Sequence, residues 1–347
     1  MAGRHLNAVY ISRPVSIAYL TGFFAEPHER LMGLVVRPDG ATLIVPALEE
    51  EKAGKQAGGA EVVAWRDGQD PYELVSHALS GASEVAVEKE HLSLHAAEVI
   101  TTRAGISELV DAGGQIRRFR LLKNDDEIDS LARAAAITDD ATERVLAGLH
   151  EGQSEIEVAL LLGSTIGQAG GTLSFPSLVQ SGPNSSLPHL EPSSRKLQRG
   201  DLVLLDFGAA AGGYKADTTR MAVVGKATDR QREIHRVVLE AHDAAIAAVR
   251  PGVTTGDVDA AARRVIEAAG YGENFFHRVG HGIGLEGHED PSLDPGSRTV
   301  LEPGMAFTVE PGIYIPGFGG MRIEDDVVVE EDGCRVLTQA DRALREI

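Results

Sequence analysis

Four acidic side chains stand in apolar stretches of the second half of the chain, where a charge is unusual. Asp206 interrupts the run Leu202–Phe207, which has the composition of a fully buried strand, and Asp217 follows on the return strand after a glycine-rich turn. Glu310 and Glu324 lie inside two further apolar strands that a Pro-Gly-rich turn joins. An ionised carboxylate in such a setting must be paired with a cation or bound to a metal. The sequence therefore predicts two hairpins that bring four carboxylates to one point.

A glycine-rich loop with three histidines lies between the two hairpins. It spans residues 277–289 and contains His277, His281 and His288. Carboxylates with an imidazole suit Mn²⁺, Co²⁺, Fe²⁺ or Zn²⁺, and the single Cys334 argues against a sulfur-rich zinc site. Four carboxylates are too many for one ion and suit two, which can generate a hydroxide and stabilise the oxyanion that its attack on a carbonyl creates. The residues thus indicate a dinuclear metal site and a hydrolytic reaction.

Simpler interpretations compete with a metal site. A single Asp at a strand end is usually a solvated cap, and a single His is usually an ordinary hydrogen-bonded residue, but several such residues in this arrangement are harder to explain in that way. Residues 282–287 also fit the dinucleotide pattern GxGxxG. They lack a preceding parallel strand of the required kind, so we do not expect a nucleotide site.

Two predicted helices precede each acidic hairpin. Capping residues predict helices that begin after Asn124 and Ser154, ahead of Asp206, and after Thr228 and Thr254, ahead of the histidine loop. Apolar residues at helical spacing follow these caps. An internal duplication of helix, helix and strand hairpin is the economical interpretation. It places the metal site on a pseudo-twofold axis.

The first third of the chain has a different pattern of alternating strands and helices. Ala8–Ile11 and Glu84–Val87 are predicted strands, a Pro-Asp-Gly turn marks a hairpin over residues 34–45, and residues 92–102 have helical spacing. No dense group of candidate ligands occurs in this region. We therefore expect a smaller mixed α/β domain that acts as a lid, a wall or a dimerisation unit.

Length and charge limit the class of protein. A chain of 347 residues predicts about two domains, which we place at residues 1–120 and 121–347. The net charge of −19 disfavours a nucleic-acid partner. No apolar run approaches the ~18 residues of a membrane span, and the polar start, residues 1–7, is not a secretion signal. One cysteine excludes an internal disulfide and favours a reducing compartment, so we expect a cytoplasmic protein without a membrane partner.

Together these motifs resemble the pita-bread metallopeptidase family M24, which includes prolidase, aminopeptidase P, methionine aminopeptidase and creatinase. The first acidic hairpin is followed in family order and spacing by the loop 280–284, by residues 310–312 and by residues 322–325. Residues 19–23 resemble the N-terminal domain of prolidases and aminopeptidases P, which methionine aminopeptidases lack. The resemblance implies an α+β pita-bread domain preceded by a smaller creatinase-like α/β domain. It also implies the family's opening helix, which this chain shortens before Asn7.

The resemblance implies a role for each candidate metal ligand. Five residues are the implied ligands: Asp206, Asp217, His281, Glu310 and Glu324. Asp206 binds one ion only, Asp217 and Glu324 bridge the two ions, and the remaining two residues bind the second ion. Strand alternation alone does not distinguish Glu324 from Asp326 as the ligand.

The resemblance further implies residues that serve the reaction, namely Glu310, His288, His189, His277 and Arg322. Glu310 can accept a proton during attack, and His288 or His189 can hydrogen-bond the substrate or the tetrahedral intermediate. His277 belongs to the surrounding layer or contacts substrate. Arg322, two residues before Glu324, fits a residue that orients that carboxylate.

The implied activity is that of an Xaa-Pro peptidase. A hydroxide that bridges two divalent metals attacks the bond between an N-terminal residue and a following proline. Mn²⁺ is the favoured ion with Co²⁺ and Zn²⁺ as alternatives, and the resemblance implies a homodimer. Two rivals are creatinase-type hydrolysis, which does not keep the five ligands, and a catalytically silent pita-bread protein that binds other proteins, which loses ligands.

Residue 292 bears on the length of the substrate. Archaeal-type prolidases carry an Arg shortly after the His that corresponds to His288, where it can hold the free carboxylate of a dipeptide. Ser292 stands at that position here. The missing cation favours an aminopeptidase P-like activity on longer peptides. The alternative is a prolidase, an Xaa-Pro dipeptidase, in which Arg322 or an Arg from the N-terminal domain or a partner subunit supplies the charge.

Overall fold

The computed structural model describes residues 6–347, and the chain divides into two compact units, residues 1–120 and 121–347. The expectations about a secretion signal and an opening helix rest largely on residues 1–5, which lie outside the described residues. Within the described range, every helix is too short or too polar to cross a membrane.

The first unit contains a six-stranded mixed sheet. Its strands are β1 (Ala8–Ile11), β2 (Gly33–Arg37), β3 (Gly40–Pro46), β4 (Glu61–Trp65), β5 (Glu84–Val87) and β6 (Glu108–Asp111). Its helices are α1 (Pro14–Thr21), α2 (Glu50–Gln56), α3 (Pro71–Ala78), α4 (Leu94–Ala104) and α5 (Gly113–Leu121). The strand order is β4-β3-β2-β1-β5-β6, with the predicted β2–β3 hairpin antiparallel and β3–β4, β1–β5 and β5–β6 parallel.

Both faces of this sheet are apolar. Val35 and Ile44 belong to one buried cluster, whereas their neighbours Leu34 and Leu43 belong to the cluster on the opposite face. Successive side chains of a strand point to opposite faces, so a strand covered on both sides is apolar throughout. The prediction of a mixed α/β domain is confirmed.

Four long helices organise the second unit: α6 (Asp125–Gly148), α7 (Glu155–Gln168), α8 (Asp229–Ala248) and α9 (Thr255–Ala268). Each begins with a capping box, in which the N-cap side chain and the side chain three residues later accept each other's backbone N–H. The N-caps are Asn124, Ser154, Thr228 and Thr254. The predicted order of two helices followed by strands, repeated once, is therefore confirmed.

The strands of the second unit form four small sheets. After α7 come β7 (Thr172–Leu173), β8 (Leu178–Ser181), β9 (Leu202–Phe207), β10 (Ala209–Ala211), β11 (Tyr214–Lys215) and β12 (Thr218–Val223). After α9 come β13 (His281–Gly282), β14 (Glu289–Ser292), β15 (Ala306–Val309), β16 (Gly312–Ile315), β17 (Gly319–Arg322), β18 (Asp325–Glu330), β19 (Gly333–Val336) and β20 (Arg345–Glu346). The orders are β11-β10-β7, β20-β12-β9-β8, β14-β13-β15-β18-β19 and β16-β17.

Strand β9 separates two buried cores. Val203 and Leu205 pack into a cluster with residues of α6 and α7, whereas Leu202 and Leu204 pack into a cluster with residues of α8 and α9. Because apolar side chains cover both faces, the strand is fully buried over its whole length. This explains the continuous apolar run around Asp206.

The prediction that three of the acidic residues lie inside strands is wrong. Asp217 falls between β11 and β12, Glu310 between β15 and β16, and Glu324 between β17 and β18. At the two glutamates the chain leaves one sheet and enters another, since β15 pairs with β18 and β16 pairs with β17. A strand break frees the side chain from strict alternation, which lets these carboxylates turn towards one point.

Candidate metal centre

The five predicted ligands line a single cavity of about 820 Å³ within the second unit. One ligand atom each from Asp217, His281 and Glu324 lies within 4.8 Å of the others. His281 Nε2 is 3.3 Å from Glu310 Oε1 and 3.9 Å from Asp217 Oδ2. Asp206 lies in β9 directly opposite Thr219 of β12, the residue that also contacts Glu324. Elements far apart in sequence thus bring the whole set together.

The carboxylates of this set lack sufficient positive charge around them. Burial raises the pKa of Asp217 well above its usual value, and the charges of Glu324 and Asp206 raise it further. Burial and the charges of Glu310 and Asp206 likewise raise the pKa of Glu324 well above its usual value. Burial also raises the pKa of Asp206, and it raises that of Glu310 to about 7. Groups this close and this buried need cations to remain ionised together.

The donor set fits divalent cations. Asp217 Oδ1 is buried and accepts no hydrogen bond from the described residues, as expected of an atom kept for another partner. Burial lowers the pKa of His281 to about 3, so the ring is neutral and can act as a ligand. Its Nδ1 lies 3.2 Å from the carbonyl of Gly282, which leaves Nε2 facing the carboxylates.

Arg322 is the cation closest to the carboxylates. Its Nη2 donates to Asp206 Oδ2, its Nε donates to Thr219 Oγ1 at 2.8 Å, and its Nη1 donates to the Tyr314 hydroxyl at 3.0 Å. Thr219 in turn donates to Glu324 Oε2 at 2.5 Å, while the Arg322 Nε to Glu324 distance is 3.6 Å. Arg322 therefore holds Asp206 directly and Glu324 chiefly through Thr219, a link that sequence spacing did not reveal.

The three remaining candidate histidines line the same cavity in different settings. His288 stacks on His281 with ring centroids 3.7 Å apart, and its side chain is exposed at the cavity. Both ring nitrogens of His277 are hydrogen-bonded, with Nδ1 2.7 Å from the Arg278 carbonyl and Nε2 3.2 Å from the Tyr314 hydroxyl. His189 is exposed at the cavity. His277 thus supports the layer behind the carboxylates, whereas the other two can reach a ligand.

Geometry separates Glu324 from Asp326, which the sequence pattern left open. Asp326 Oδ2 accepts the backbone N–H of Asp217 at 2.9 Å, and Asp326 does not line the cavity. It therefore fixes the chain at Asp217, whereas Glu324 lies within 4.8 Å of the other donor atoms.

The glycines of the histidine loop serve close packing of backbone. A Cβ at Gly280 would lie 1.9 Å from the Thr308 carbonyl oxygen, and one at Gly282 would lie 2.2 Å from that of Asp290. Only glycine permits such an approach. Gly282, the first glycine of the pattern that resembles a dinucleotide motif, is thus explained by backbone packing beside His281.

Sequence reasoning missed several residues that line the cavity. The apolar ones are Phe175, Leu178, Leu187, Pro188, Leu190 and Phe276, and the charged ones are Lys215 and Arg278. Nothing in their spacing distinguishes them from ordinary loop residues.

Comparison with known proteins finds relatives over nearly the whole chain. The model of metallopeptidase family M24 matches residues 129–331, and that of the creatinase/prolidase N-terminal domain matches residues 1–122. The Xaa-Pro dipeptidase of Lactobacillus helveticus is 40% identical over 98% of this chain and 95% of its own length. The structure of an Xaa-Pro dipeptidase from Bacillus anthracis matches with a TM-score of 0.92 at 37% identity, covering 99% of this chain and 95% of that one. The structure of an X-Pro aminopeptidase from Thermotoga maritima matches with a TM-score of 0.90 at 32% identity, covering 99% of this chain and 98% of that one.

Proposed function

Because this chain belongs to metallopeptidase family M24, we propose that it is an Xaa-Pro dipeptidase, which cleaves dipeptides whose second residue is proline. The observation that carries the proposal is the complete set of five donors in one cavity, four of them buried. The relatives named dipeptidases favour this alternative over the aminopeptidase P-like activity that Ser292 suggested, although the Thermotoga maritima enzyme is named an aminopeptidase. The intact donors also argue against creatinase-type hydrolysis and a silent binding protein.

Two divalent ions, with Mn²⁺ favoured over Co²⁺ and Zn²⁺, fit the proposed ligand roles. Asp206 would hold one ion, Asp217 and Glu324 both ions, and His281 and Glu310 the other. When bound, such ions activate water as a nucleophile and polarise the scissile carbonyl.

The chain's own residues would then position the substrate and move protons. Glu310, whose pKa is raised to about 7 by burial, can take up a proton at its carboxylate during attack. His288 and His189 border the cavity, where each can donate a hydrogen bond to the substrate. The apolar wall formed by Phe175, Leu178 and the other apolar residues named above offers a surface for the proline ring.

Hydrolysis of three peptides tests the proposal. Protein stripped of metal is reloaded with Mn²⁺, Co²⁺ or Zn²⁺ in turn and assayed on Ala-Pro, Ala-Pro-Ala and Ala-Ala. We expect Ala-Pro to have the highest kcat/KM and Ala-Ala to be poor. A preference of about tenfold or more for Ala-Pro-Ala would instead establish aminopeptidase P-like action, since tenfold is about 1.4 kcal/mol of transition-state preference.

A homodimer in the cytoplasm remains a prediction from the sequence resemblance and from the single cysteine. Light scattering on the eluting protein measures the oligomer directly. A monomeric, fully active protein would contradict the first part, and export of the protein from its cell would contradict the second.

A further inference from the structure

We propose that Arg278 binds the free carboxylate of the dipeptide, and so selects dipeptides over longer peptides. This inference rests on the proposed function and adds the residue that sets substrate length. The sequence offers no cation at residue 292, because Ser292 stands where archaeal-type prolidases carry an arginine. In the structure, that serine accepts a hydrogen bond from Arg278, at the start of the histidine loop.

The guanidinium of Arg278 is held at the cavity by its neighbours. Its Nη1 donates to Ser292 Oγ at 2.6 Å, and its Nη2 lies 3.5 Å from His288 Nδ1. Ser292 is itself fixed, since it pairs with His281 in the β13–β14 ladder. The serine therefore anchors the cation that takes over the arginine's role.

Arg278 has no acidic partner among the described residues. Within residues 6–347 its hydrogen bonds go to a hydroxyl and, weakly, to an imidazole, while Nε and the second N–H of each terminal nitrogen have no partner. A guanidinium has five donors in a planar fork that matches a carboxylate. A cation at a cavity without a carboxylate partner is suited to an anionic ligand.

The position of Arg278 matches the short distance between the scissile carbonyl and the carboxylate of a dipeptide. In Xaa-Pro, the scissile carbonyl carbon and the carboxylate carbon are separated by three bonds, at most about 4 Å. Arg278 contacts His288, and His288 stacks on the candidate ligand His281 at 3.7 Å. A carboxylate next to the reacting carbonyl would lie within reach of Arg278.

The other cations of the cavity are less suited to this role. Arg322 already donates to Asp206, Thr219 and Tyr314, and all of its nitrogens are engaged. Lys215 lines the cavity, but no side chain of the described range fixes its ammonium by a hydrogen bond. Lys215 is therefore the matched control for a non-specific effect of positive charge.

The test compares Ala-Pro with Ala-Pro-amide, which keeps the scissile bond and lacks the negative charge. We expect Arg278→Met to lower kcat/KM for Ala-Pro by about 30-fold or more, the typical loss of a charge-assisted bidentate pair, with a change below about threefold for the amide. Arg278→Lys should restore part of the loss, and Ser292→Ala should give a smaller loss confined to Ala-Pro. In Lys215→Met the ratio of the two substrates should stay as in the wild type.

Three results would overturn the inference: parallel loss on both substrates in Arg278→Met, no loss on either, or a selective loss in Lys215→Met instead. Protection against thermal unfolding by L-proline and by prolinamide gives a readout that needs no hydrolysis. We expect L-proline to protect the wild type and not Arg278→Met, with prolinamide weak in both. If the wild type cleaves neither substrate, the proposed function fails, whereas this binding difference still decides the role of Arg278.

Discussion

Glu324 and Asp325 are adjacent and almost fully buried, yet their surroundings shift their pKa values in opposite directions. The pKa of Glu324 is raised well above its usual value by burial and by the charges of Glu310 and Asp206. Burial alone would raise that of Asp325 as well, but the hydrogen bond with His242 and the charge of Arg220 outweigh it and hold the pKa below its usual value.

The difference lies in the partners that the fold supplies. The Asp325 cluster consists of Asp325, Arg220, Arg342, His242 and Thr338. Arg220 Nη2 and Thr338 Oγ1 each donate to Asp325 Oδ1 at 2.7 Å, His242 Nε2 lies 2.9 Å from Oδ2, and Arg342 also donates to Oδ2. The carboxylate cluster (Asp206, Asp217, Glu310, Glu324) has Arg322 as its adjacent cation. A buried acid with complete partners is structural, whereas acids that share too few cations indicate a site for metal.

The largest expected effect comes from Asp217→Asn in the carboxylate cluster. A bridging ligand would hold both ions, which supply several kcal/mol of transition-state stabilisation, so kcat/KM should fall by about 10³-fold or more. The metal-free variant should unfold at the same denaturant concentration as the wild type or a higher one, because a like charge is removed from a buried site. Isothermal titration that finds two ions bound with wild-type affinity would contradict this role.

The same substitution in the neighbouring cluster should act on stability. Asp325→Asn leaves Arg220, of which only 1% is exposed, without its full counter-charge, at a cost of about 3 kcal/mol in the free energy of unfolding. Urea unfolding of metal-free protein measures it, with metal-free Asp217→Asn as the matched control. Equal stability of the two variants would mean that the two clusters do not differ as their partners indicate.

His288 lies at the edge of the carboxylate cluster and tests where the metal ligands end. His288→Ala should lower turnover by about 10²-fold, the typical contribution of a residue that donates a hydrogen bond or proton, and leave metal content intact. Metal analysis after gel filtration provides the measurement. Loss of one equivalent of metal would exchange the roles of His288 and His281.

The sequence predicted much of this arrangement, because buried acids and capping boxes are local signals. Asp206 in its apolar run and the helix start at Ser154 needed only neighbouring residues. The strand breaks at Glu310 and Glu324 depend on which sheet each strand joins, and that is set by distant residues. For the same reason no spacing rule distinguishes Glu324, which shares Arg322 with other acids, from the adjacent Asp325, which has several cationic partners of its own.

The bond between Arg278 and Ser292 was also beyond sequence reasoning. Arg278 lies at the start of the histidine loop and Ser292 in β14 just after it, and Ser292 alone suggested that a cation was missing. Packing of the loop brings a second arginine to that place. A functional side chain that is absent at one position can thus be supplied by a residue at another position. Substrate specificity inferred from a single position is weakened accordingly.

The smallest expected effect is at the outer edge of the Asp325 cluster. Arg342 is 29% exposed on its side chain, so water can solvate part of it, and Arg342→Met should lower the free energy of unfolding by only about 1 kcal/mol. Asp325 would keep the hydrogen bonds of Arg220 and Thr338 to Oδ1 and the 2.9 Å contact of His242 with Oδ2. Urea unfolding beside Asp325→Asn gives the comparison. If Arg342→Met lowered the free energy of unfolding as much as Asp325→Asn, the Asp325 cluster would depend on its total positive charge rather than on its buried hydrogen bonds. The two clusters would then differ only in degree, because each would need all the cations around it.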